Sequence, residues 1–332
     1  MSRRAASASV FSRWLASPPP PAAVEIASRR VTAVSVVDHA GTPVLAGHAT
    51  VALPDGAVDA ALNAPNVHDA AALTAAIKGA LDQLSPRPKR VGLVLPDTVA
   101  KVSLIRFEKV PPRAQDLDQL IRWQVRKTAP FRIEDAQVAW VPGVGLPEGG
   151  REYLVTIARR DIVESYERAC AAAGAHAGLV DIASLNLVNL AFAAAGGQMP
   201  PGDWLLVHVA ADYVTLAVIR GADLIFFRNR TTSDGVDLAD LVHQTAMYHE
   251  DRLGGGGFSR ILLAGASGRG ADADRLRREV EERTGTRADG VSLGNALALR
   301  DRIAASAELL DAVAPAAGLL LRERAAGAER VA

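Results

Sequence analysis

Two stretches of this sequence repeat each other: VEIASRRVTAV at residues 24–34 and VHVAADYVTLA at residues 207–217. They align without a gap at an offset of 183 residues (25 to 208), so that Glu25 falls on His208. In both copies, residues rich in Val, Ile and Thr flank a short turn, which is the pattern of a β-hairpin. A hairpin-led unit that recurs at about half the chain length predicts two similar lobes with a cleft between them.

Helices and further strands extend each of the two units. The first unit contains an apolar-periodic helix at residues 70–84 and an apolar strand at 91–95, and the second contains a helix at 236–253 and a strand at 261–263. Strands mixed with helices that can cover both faces of a sheet favour an α/β class for each lobe.

A segment between the two units does not belong to the duplication. It opens with a strand near Val102 and continues with a helix that must end near Lys127, because Ala129 precedes Pro130. A strand at residues 153–158 and a second amphipathic helix follow. These features predict a compact αβ insertion of roughly 80 residues, enough for a small core of its own.

The chain is therefore predicted to have six regions. They are an N-terminal amphipathic tail and proline linker (1–21), the first lobe, 1A (22–101), the inserted subdomain (102–180), a return to the first lobe (181–203), the second lobe (204–323) and a C-terminal tail (324–332). The N-terminal tail is predicted from Val10, Phe11, Trp14 and Leu15, which share one helical face. A frayed terminus is an equally good interpretation of the same residues.

Composition excludes several classes of protein. With 37 Lys+Arg against 37 Asp+Glu in 332 residues, the chain has no basic excess of the kind that indicates nucleic-acid binding. Its single cysteine, Cys170, excludes a disulfide framework. The most apolar stretch, residues 179–195, is interrupted by Asp181, Asn186 and Asn189, so no transmembrane helix is expected.

The paired hairpin turns are candidates for a phosphate site. Backbone N–H groups of such turns can bind phosphates, while an acid on each hairpin holds a hydrated magnesium ion. Here the acid positions carry Glu25 and His208, and neutral imidazole is a poor ligand for this hard ion. Ala27 and Ala210 occupy the turns where glycine would suit the backbone, so any positive-φ conformation there would cost about 1 kcal/mol or more.

Other residues complete this candidate site. Ser28 and Arg29 lie in the first turn, where the arginine would either pair with phosphate or be an ordinary exposed residue. The run ILLAGAS at residues 261–267 ends a predicted strand in a small-residue turn, which either lets an adenosine approach the main chain or simply leads into the next helix. The turn residues are Gly265, Ala266 and Ser267. We find no nucleophile motif and no histidine pair with metal-ligand spacing, so neither catalytic nor metal-binding residues are expected.

Aromatic residues are concentrated at residues 123–140, WQVRKTAPFRIEDAQVAW. Trp123, Phe131 and Trp140 flank the proline-broken end of the predicted helix. Rigid rings in this arrangement either line a protein-binding groove or hold the core of the insertion itself.

The stretch KVPPRAQDLDQLIRWQVRKTAPFRIEDAQVAW at residues 109–140 is the most distinctive in the chain. Together with VEIASRRVTAV and ILLAGAS, it resembles the type IV pilus assembly protein PilM family, actin-like relatives of FtsA, over residues 22–322. The residues that match the family's Pro-Phe-x-x-x-Asp pattern are Pro130, Phe131, Asp135 and Val138.

This resemblance implies an actin-like (ASKHA) bilobal α/β fold with an inserted 1C-type subdomain. It also implies a cytoplasmic protein, peripheral to the inner membrane, that grips the cytoplasmic N-terminal tail of a PilN-like membrane protein and contacts other pilus assembly components. Self-association is compatible with the resemblance, and nucleic acid is not an expected partner. The implied tail contacts are Ile105, Phe107, Trp123, Pro130 and Phe131.

The chain departs from the family at its nucleotide site. The family's hairpin turns are usually Asp-Ile-Gly, whereas this chain has Glu25-Ile26-Ala27 and His208-Val209-Ala210, and Gly265-Ala266 replaces a Gly-Gly pair. We therefore expect a non-catalytic scaffold with an eroded nucleotide site and no cofactor. An ATP-binding actin-like ATPase or filament former is the alternative. A small-molecule kinase of the same superfamily is disfavoured because the insertion lacks a recognisable set of sugar-binding carboxylates.

Overall fold

The structure is a computed structural model that describes residues 20–196, 201–235, 237–294, 296–300, 303 and 306–331, apart from the side chains of residues 234, 271 and 323–331. The predicted N-terminal helix, with Val10, Phe11, Trp14 and Leu15, lies outside the described residues. The strands are β1 (Ala22–Ile26), β2 (Arg30–His39), β3 (Thr42–Ala52), β4 (Arg90–Leu95), β5 (Ala100–Phe107), β6 (Ala136–Gly145), β7 (Arg151–Arg159), β8 (His176–Ile182), β9 (Asp203–Val209), β10 (Tyr213–Arg220), β11 (Asp223–Thr231), β12 (Arg260–Ala264), β13 (Ala288–Gly290) and β14 (Ala298–Leu299).

The described helices are α1 (Ala70–Asp82), α2 (Ala114–Arg126), α3 (Arg160–Ala172), α4 (Ala183–Ala194), α5 (Leu238–Leu253), α6 (Ala271–Thr284) and α7 (Ala307–Val331). Asp69 and Asp237 cap the N-termini of two of the described helices with their side chains. For example, the Asp237 carboxylate accepts a hydrogen bond from the Ala239 N–H at the start of α5, and Gly254 ends that helix in the left-handed conformation. No helix within the described ranges is both long enough and apolar enough to span a lipid bilayer.

The two sequence repeats form the same hairpin in two different sheets. The first sheet has the strand order β14-β3-β2-β1-β4-β8, and the second has the order β11-β10-β9-β12-β13. Glu25 lies opposite Thr32 in the first hairpin, as His208 lies opposite Thr215 in the second. Each turn is closed by the same hydrogen bond of 2.9 Å, from residue 27 to residue 30 and from residue 210 to residue 213. The prediction of two similar lobes is confirmed.

Two helices pack between the sheets and join the lobes through a shared core. Helices α4 and α7 contribute Leu187, Leu190 and Leu320 to this core, together with Trp204 and Leu206 from the second sheet. The helices approach so closely that a Cβ added at Gly318 of α7 would lie 1.9 Å from the Asn186 carbonyl oxygen of α4. The cleft therefore has a rigid apolar floor.

The end of the chain returns to the first lobe, so the predicted second lobe of residues 204–323 is too long. Strand β14 pairs with β3 of the first sheet, and α7 contacts β1, β2 and β4. The sequence did not reveal this because α7 is apolar on nearly every side as far as Leu321, and such a helix does not indicate which sheet it covers.

The predicted insertion of residues 102–180 is also too long. Helix α3 packs with α1 on the outer face of the first sheet, where Ile162 and Tyr166 contact the same core as Leu73 and Ile77. Strand β8 then extends that sheet by pairing in parallel with β4. The insertion therefore comprises residues 100–159. An amphipathic pattern shows that a helix buries one face, but it does not show against which element.

The insertion is a three-stranded antiparallel sheet, in the order β5-β7-β6, with α2 packed on one face. Its small core contains Leu117, Ile121 and Val125 of α2 against Tyr153 and Val155 of β7. Because side chains alternate along a strand, the neighbouring residues of β6 and β7 point to the opposite face, toward β8 and β11.

Candidate functional site

A cavity of about 410 Å³ lies between the two hairpin turns and is floored by the central helices. The structure brings together most of the predicted nucleotide-site residues here: Glu25, Ala27, Ser28, Arg29, His208, Ala210 and Gly265. Two predicted residues do not line the cavity. Ala266 is buried in the core of the second lobe, and the Ser267 N–H donates to the Asp311 carboxylate of α7 at 2.8 Å.

The alanines in the turns are not strained. Neither Ala27 nor Ala210 has a positive φ, so the expected conformational cost of replacing glycine does not arise. Gly265 is the glycine that the geometry requires, since its φ is +77° and a Cβ there would lie 2.5 Å from the Val209 carbonyl oxygen. At Gly265, the main chain of the turn after β12 therefore packs closely against the main chain of β9.

The two arginines of the first turn each form an ion pair with a carboxylate outside it. The buried carboxylate of Glu25 lies 3.5 Å from the Arg30 guanidinium, and exposed Arg29 lies 3.6 Å from Asp55. Burial raises the pKa of Glu25, an influence that its contacts with Arg30 and His208 reduce but do not cancel. A carboxyl with a raised pKa is a weaker candidate for a magnesium ligand than a solvated aspartate.

A buried polar cluster surrounds His208, and its central residue, Asp97, was not predicted. Asp97 lies between β4 and β5, and its carboxylate accepts hydrogen bonds from the Ser184 N–H at 2.9 Å and the Thr215 hydroxyl at 2.6 Å. The Ser184 hydroxyl also contacts Asp97 and lies 2.9 Å from Nδ1 of His208. We call Asp97, Ser184, His208 and Thr215 the interlobe cluster, because it joins the first lobe, a central helix and the second hairpin.

Electrostatics favour an ionised Asp97. Burial is the largest influence on its pKa and would raise it, but the contacts with His208 and Ser184 together outweigh burial and lower the pKa. A sequence signal for this residue does exist, since Asp97 follows the proline that ends a continuous apolar strand. That signal did not indicate which partners the carboxylate meets.

The residues present do not fit a hydrated magnesium ion. Glu25 is paired with Arg30, and His208 is held by Ser184 and Asp97. In the part of the chain that the structure describes, no group of three or more His, Cys, Asp and Glu side chains could hold a metal ion. Burial raises the pKa of Cys170 to about 11, which leaves its thiol unreactive.

A second candidate site lies where the insertion meets the first lobe. Strand β6 is at the edge of the inserted sheet and β8 is at the edge of the first sheet. Two contiguous cavities of about 120 and 320 Å³ lie between these edges and share Ala139, Thr156 and Asp181. Their other apolar lining residues include Leu95, Val163, Val180, Leu154, Leu185, Val188 and Phe192. We call this feature the β6–β8 groove.

The residues predicted to contact a partner tail do not line the β6–β8 groove. Ile105, Phe107 and Phe131 pack against the core of the insertion, on the α2 face of its sheet. Trp123 is 56% exposed on α2, where the Lys127 ammonium lies 3.7 Å from its ring centroid, and Pro130 is exposed. For Phe131 and Trp140 the structure supports the alternative interpretation, in which the aromatic residues hold the insertion together.

Two lobes led by equivalent hairpins, central helices that floor a cleft, and a subdomain inserted into the first lobe define an actin-like bilobal α/β protein. The sequence model of the family described as "Type IV pilus assembly protein PilM" matches residues 23–252. The chain belongs to that family, and a role in type IV pilus assembly follows from this membership.

One solved structure supports the fold, and more distant ones were also found. The structure described as "PilM-PilN type IV pilus biogenesis complex" is 20% identical, with a TM-score of 0.78 over 92% of this chain and 98% of that one. A protein of unknown function with an actin-like ATPase fold from Bacteroides thetaiotaomicron is more distant, with 10% identity and a TM-score of 0.48 over 85% of this chain and 93% of that one. The cytoplasmic domain of EpsL, from the type II secretion system of Vibrio cholerae, has 11% identity and a TM-score of 0.46 over 92% and 94%. No curated protein matched the chain.

Proposed function

We propose that this protein is a non-catalytic scaffold of the type IV pilus, and that it binds the cytoplasmic N-terminal tail of a PilN-like membrane protein in the β6–β8 groove. It would act in the cytoplasm, peripheral to the inner membrane, as part of the inner-membrane alignment complex. The observation that carries this proposal is a pair of edge strands that face each other across an apolar groove.

An extended peptide suits this groove. Edge strands present backbone N–H and C=O groups without a strand partner, and an added strand can pair with them. Alternate side chains of the peptide would then enter the apolar cavities beside Ala139, Leu154 and Leu185. The name of the PilM-PilN complex, which has the same fold, supports a PilN-like partner.

Contacts among several polar groups of the cleft support a non-catalytic role, while four buried polar atoms that line it have no hydrogen-bond partner among the described residues: Glu25 Oε2, Ser28 Oγ, Arg30 Nε and Asp311 Oδ1. Glu25 pairs with Arg30, His208 contacts Ser184 and Asp97, and the Arg269 guanidinium donates to the Ala210 carbonyl oxygen. A nucleotide would have to break these contacts before it could use the same groups. The cavity of about 410 Å³ is the observation that favours the alternative function, residual ATP binding.

The groove is tested with a fluorescent peptide of the PilN-like tail. Ala139→Arg places a long cation in the groove and should weaken binding at least tenfold, whereas Ala171→Arg, the same change on an exposed position of α3, should leave binding unchanged. Trp123→Ala on α2 should also bind normally. Native affinity in Ala139→Arg, or a loss in Trp123→Ala alone, would contradict this location of the groove.

The eroded nucleotide site is tested by calorimetric titration with ATP and magnesium. The native chain should release no measurable heat. The variant with Glu25→Asp, Ala27→Gly, His208→Asp and Ala210→Gly should bind ATP at least tenfold more tightly than the native chain. Micromolar binding by the native chain would favour the ATPase alternative instead.

A further inference from the structure

A cavity of about 610 Å³ lies at the junction of the two lobes and the insertion. The contact between the inserted sheet and β11 separates this cavity from the larger part of the β6–β8 groove. Its fourteen described lining residues include Lys101, Phe226, Arg228, Arg230 and Tyr248. Three of these are cationic and none is Asp or Glu. The cavity therefore presents positive charge beside apolar surface.

Strand β11 arranges the important side chains on one face. Phe226, Arg228 and Arg230 alternate along the strand, so they point to the same side. The Arg228 guanidinium lies 5.2 Å from the centroid of the Phe226 ring, and that ring lies 5.2 Å from the ring of Tyr248. Tyr248 is 40% exposed, so one edge of this aromatic pair is open to a partner.

The two arginines have no counter-charge among the side chains that the structure describes. Within the described residues and side chains, no carboxylate lies within 4.0 Å of Arg228 or Arg230, and Lys101 directs its ammonium to the Thr128 carbonyl oxygen instead of an acid. Burial and the neighbouring charge of Arg230 lower the pKa of Arg228. Two like charges thus lie side by side, with Arg228 half-buried and Arg230 exposed, and an anionic ligand would relieve their repulsion.

The spacing of the arginines selects the kind of anion. Side chains two residues apart on a strand are separated by roughly 7 Å, and the same separation recurs between alternate side chains of any extended peptide. Alternate carboxylates of such a peptide would therefore meet the two guanidinium groups in register, each with the bidentate geometry that arginine favours. In addition, β11 is the last strand of its sheet, so among the described residues its outer edge has no strand partner.

We propose that β11 and Tyr248 form a docking site for an acidic, extended segment of a partner protein, in which alternate Asp or Glu side chains pair with Arg228 and Arg230. This site is distinct from the β6–β8 groove, and the inference does not depend on the PilN-like tail. The aromatic pair Phe226 and Tyr248 would contact an apolar residue of the same segment.

The test uses the full chain and two fluorescein-labelled eight-residue peptides that have Glu or Gln at alternate positions. The Glu peptide should bind at least tenfold more tightly than the Gln peptide at low ionic strength, and added salt should weaken that binding. Arg228→Gln with Arg230→Gln should reduce Glu-peptide affinity at least tenfold. The Arg228→Lys, Arg230→Lys variant keeps the charge and should lose less affinity for the Glu peptide. The Arg168→Gln, Arg277→Gln variant changes two exposed arginines elsewhere and should lose no affinity.

Three outcomes would overturn the proposal. The first is equal binding of the Glu and Gln peptides, and the second is native affinity in the Arg228→Gln, Arg230→Gln variant. The third is binding of inorganic tripolyphosphate in a manner that depends on both arginines while the Glu peptide does not bind, which would assign the site to phosphate. The PilN-like tail peptide should bind the Arg228→Gln, Arg230→Gln variant normally. Failure of the β11 docking site and failure of the β6–β8 groove are therefore distinguishable.

Discussion

Asp97 connects parts of the molecule that are far apart in sequence. Its side chain is fully buried, and its partners lie on α4 and on the second hairpin. Hydrogen bonds to a charged group contribute more to stability than those between neutral groups, and an unsatisfied partner left in the core is costly. The interlobe cluster therefore stabilises the arrangement of the two lobes around the cleft.

Asp97→Asn should lower the free energy of unfolding by about 1.5–3 kcal/mol near neutral pH, because the amide cannot accept every hydrogen bond that the carboxylate accepts. The pKa of Asp97 is lowered from 3.8 in the folded state, so its charge stabilises the fold above that value, and the contribution is lost as the pH falls. The difference between variant and native chain should accordingly shrink below pH 4. Urea unfolding at several pH values measures this, with exposed Asp251→Asn as the control; a difference that grows in acid would refute the assignment.

Gly265→Ala should destabilise the turn after β12. Alanine at a φ of +77° costs about 1 kcal/mol, and its Cβ would lie 2.5 Å from the Val209 carbonyl oxygen, so a total loss of about 1–3 kcal/mol is expected. Gly268→Ala is the matched control, since a Cβ at Gly268 meets nothing within 4 Å and its φ is not positive. Thermal unfolding of the two variants compares them. Equal midpoints would show that the turn relaxes without penalty.

At the scale of secondary-structure elements, the packing of α7 on α4 and the exposed strand edges have opposite roles. The helices approach backbone to backbone where Gly318 of α7 meets Asn186 of α4, which allows both lobes to share one core. The edges of β6, β8 and β11 remain without strand partners among the described residues. The first feature holds the molecule together, and the second leaves strand edges at the β6–β8 groove and at β11, the two places where we propose that another chain binds.

Gly318→Ala tests the helix contact. The added methyl group would overlap the Asn186 carbonyl oxygen at 1.9 Å, and the resulting overpacking should cost about 1–3 kcal/mol or more. Gly79→Ala makes the same substitution in α1, where the nearest atom is 3.7 Å away, and should stabilise the protein by about 0.5–1 kcal/mol through helix propensity. Changes of the same sign in both variants, measured by chemical denaturation, would argue against close packing of α7 on α4.

At the scale of the whole molecule, the two sheets behave as one unit because they share a core. The cluster between them contains residues from both hairpins and from both central helices. The insertion, by contrast, has a separate small core under α2 and contacts the second lobe through β11. Opening of the insertion should therefore require less free energy than opening of the central layer.

Native-state hydrogen exchange tests this order. The slowest amides should lie in α4 and in α7 up to Leu321, because these helices are buried between the sheets. Helix α2 has an exposed outer face. Its amides should exchange through an opening that exposes less surface, and the free energy of that opening should depend less on denaturant concentration. Equal protection of α2 and α4 would mean that the insertion and the lobes unfold together.

Several features of the fold and the site could be predicted from the sequence. The hairpin repeat, the end of α2 before Ala129 and Pro130, and the buried stripe of α3 were all correctly predicted, because turn chemistry and helical periodicity act between residues that are neighbours in sequence. The meeting of Glu25 and His208 in one cleft also followed from the repeat. The family pattern around Pro130 and Phe131 then indicated a pilus assembly protein.

Only the tertiary structure decided which surfaces these elements share. It assigned α3, β8 and α7 to the first lobe and placed Asp97 beside His208. It also packed Phe131 against the insertion's core, while Ala139 and Leu154 face the β6–β8 groove. Local patterns specify that a residue is buried or exposed, but the partner that buries it comes from a distant part of the chain. Contacts of that kind depend on how the sheets and helices pack in three dimensions, and no neighbouring residue encodes them.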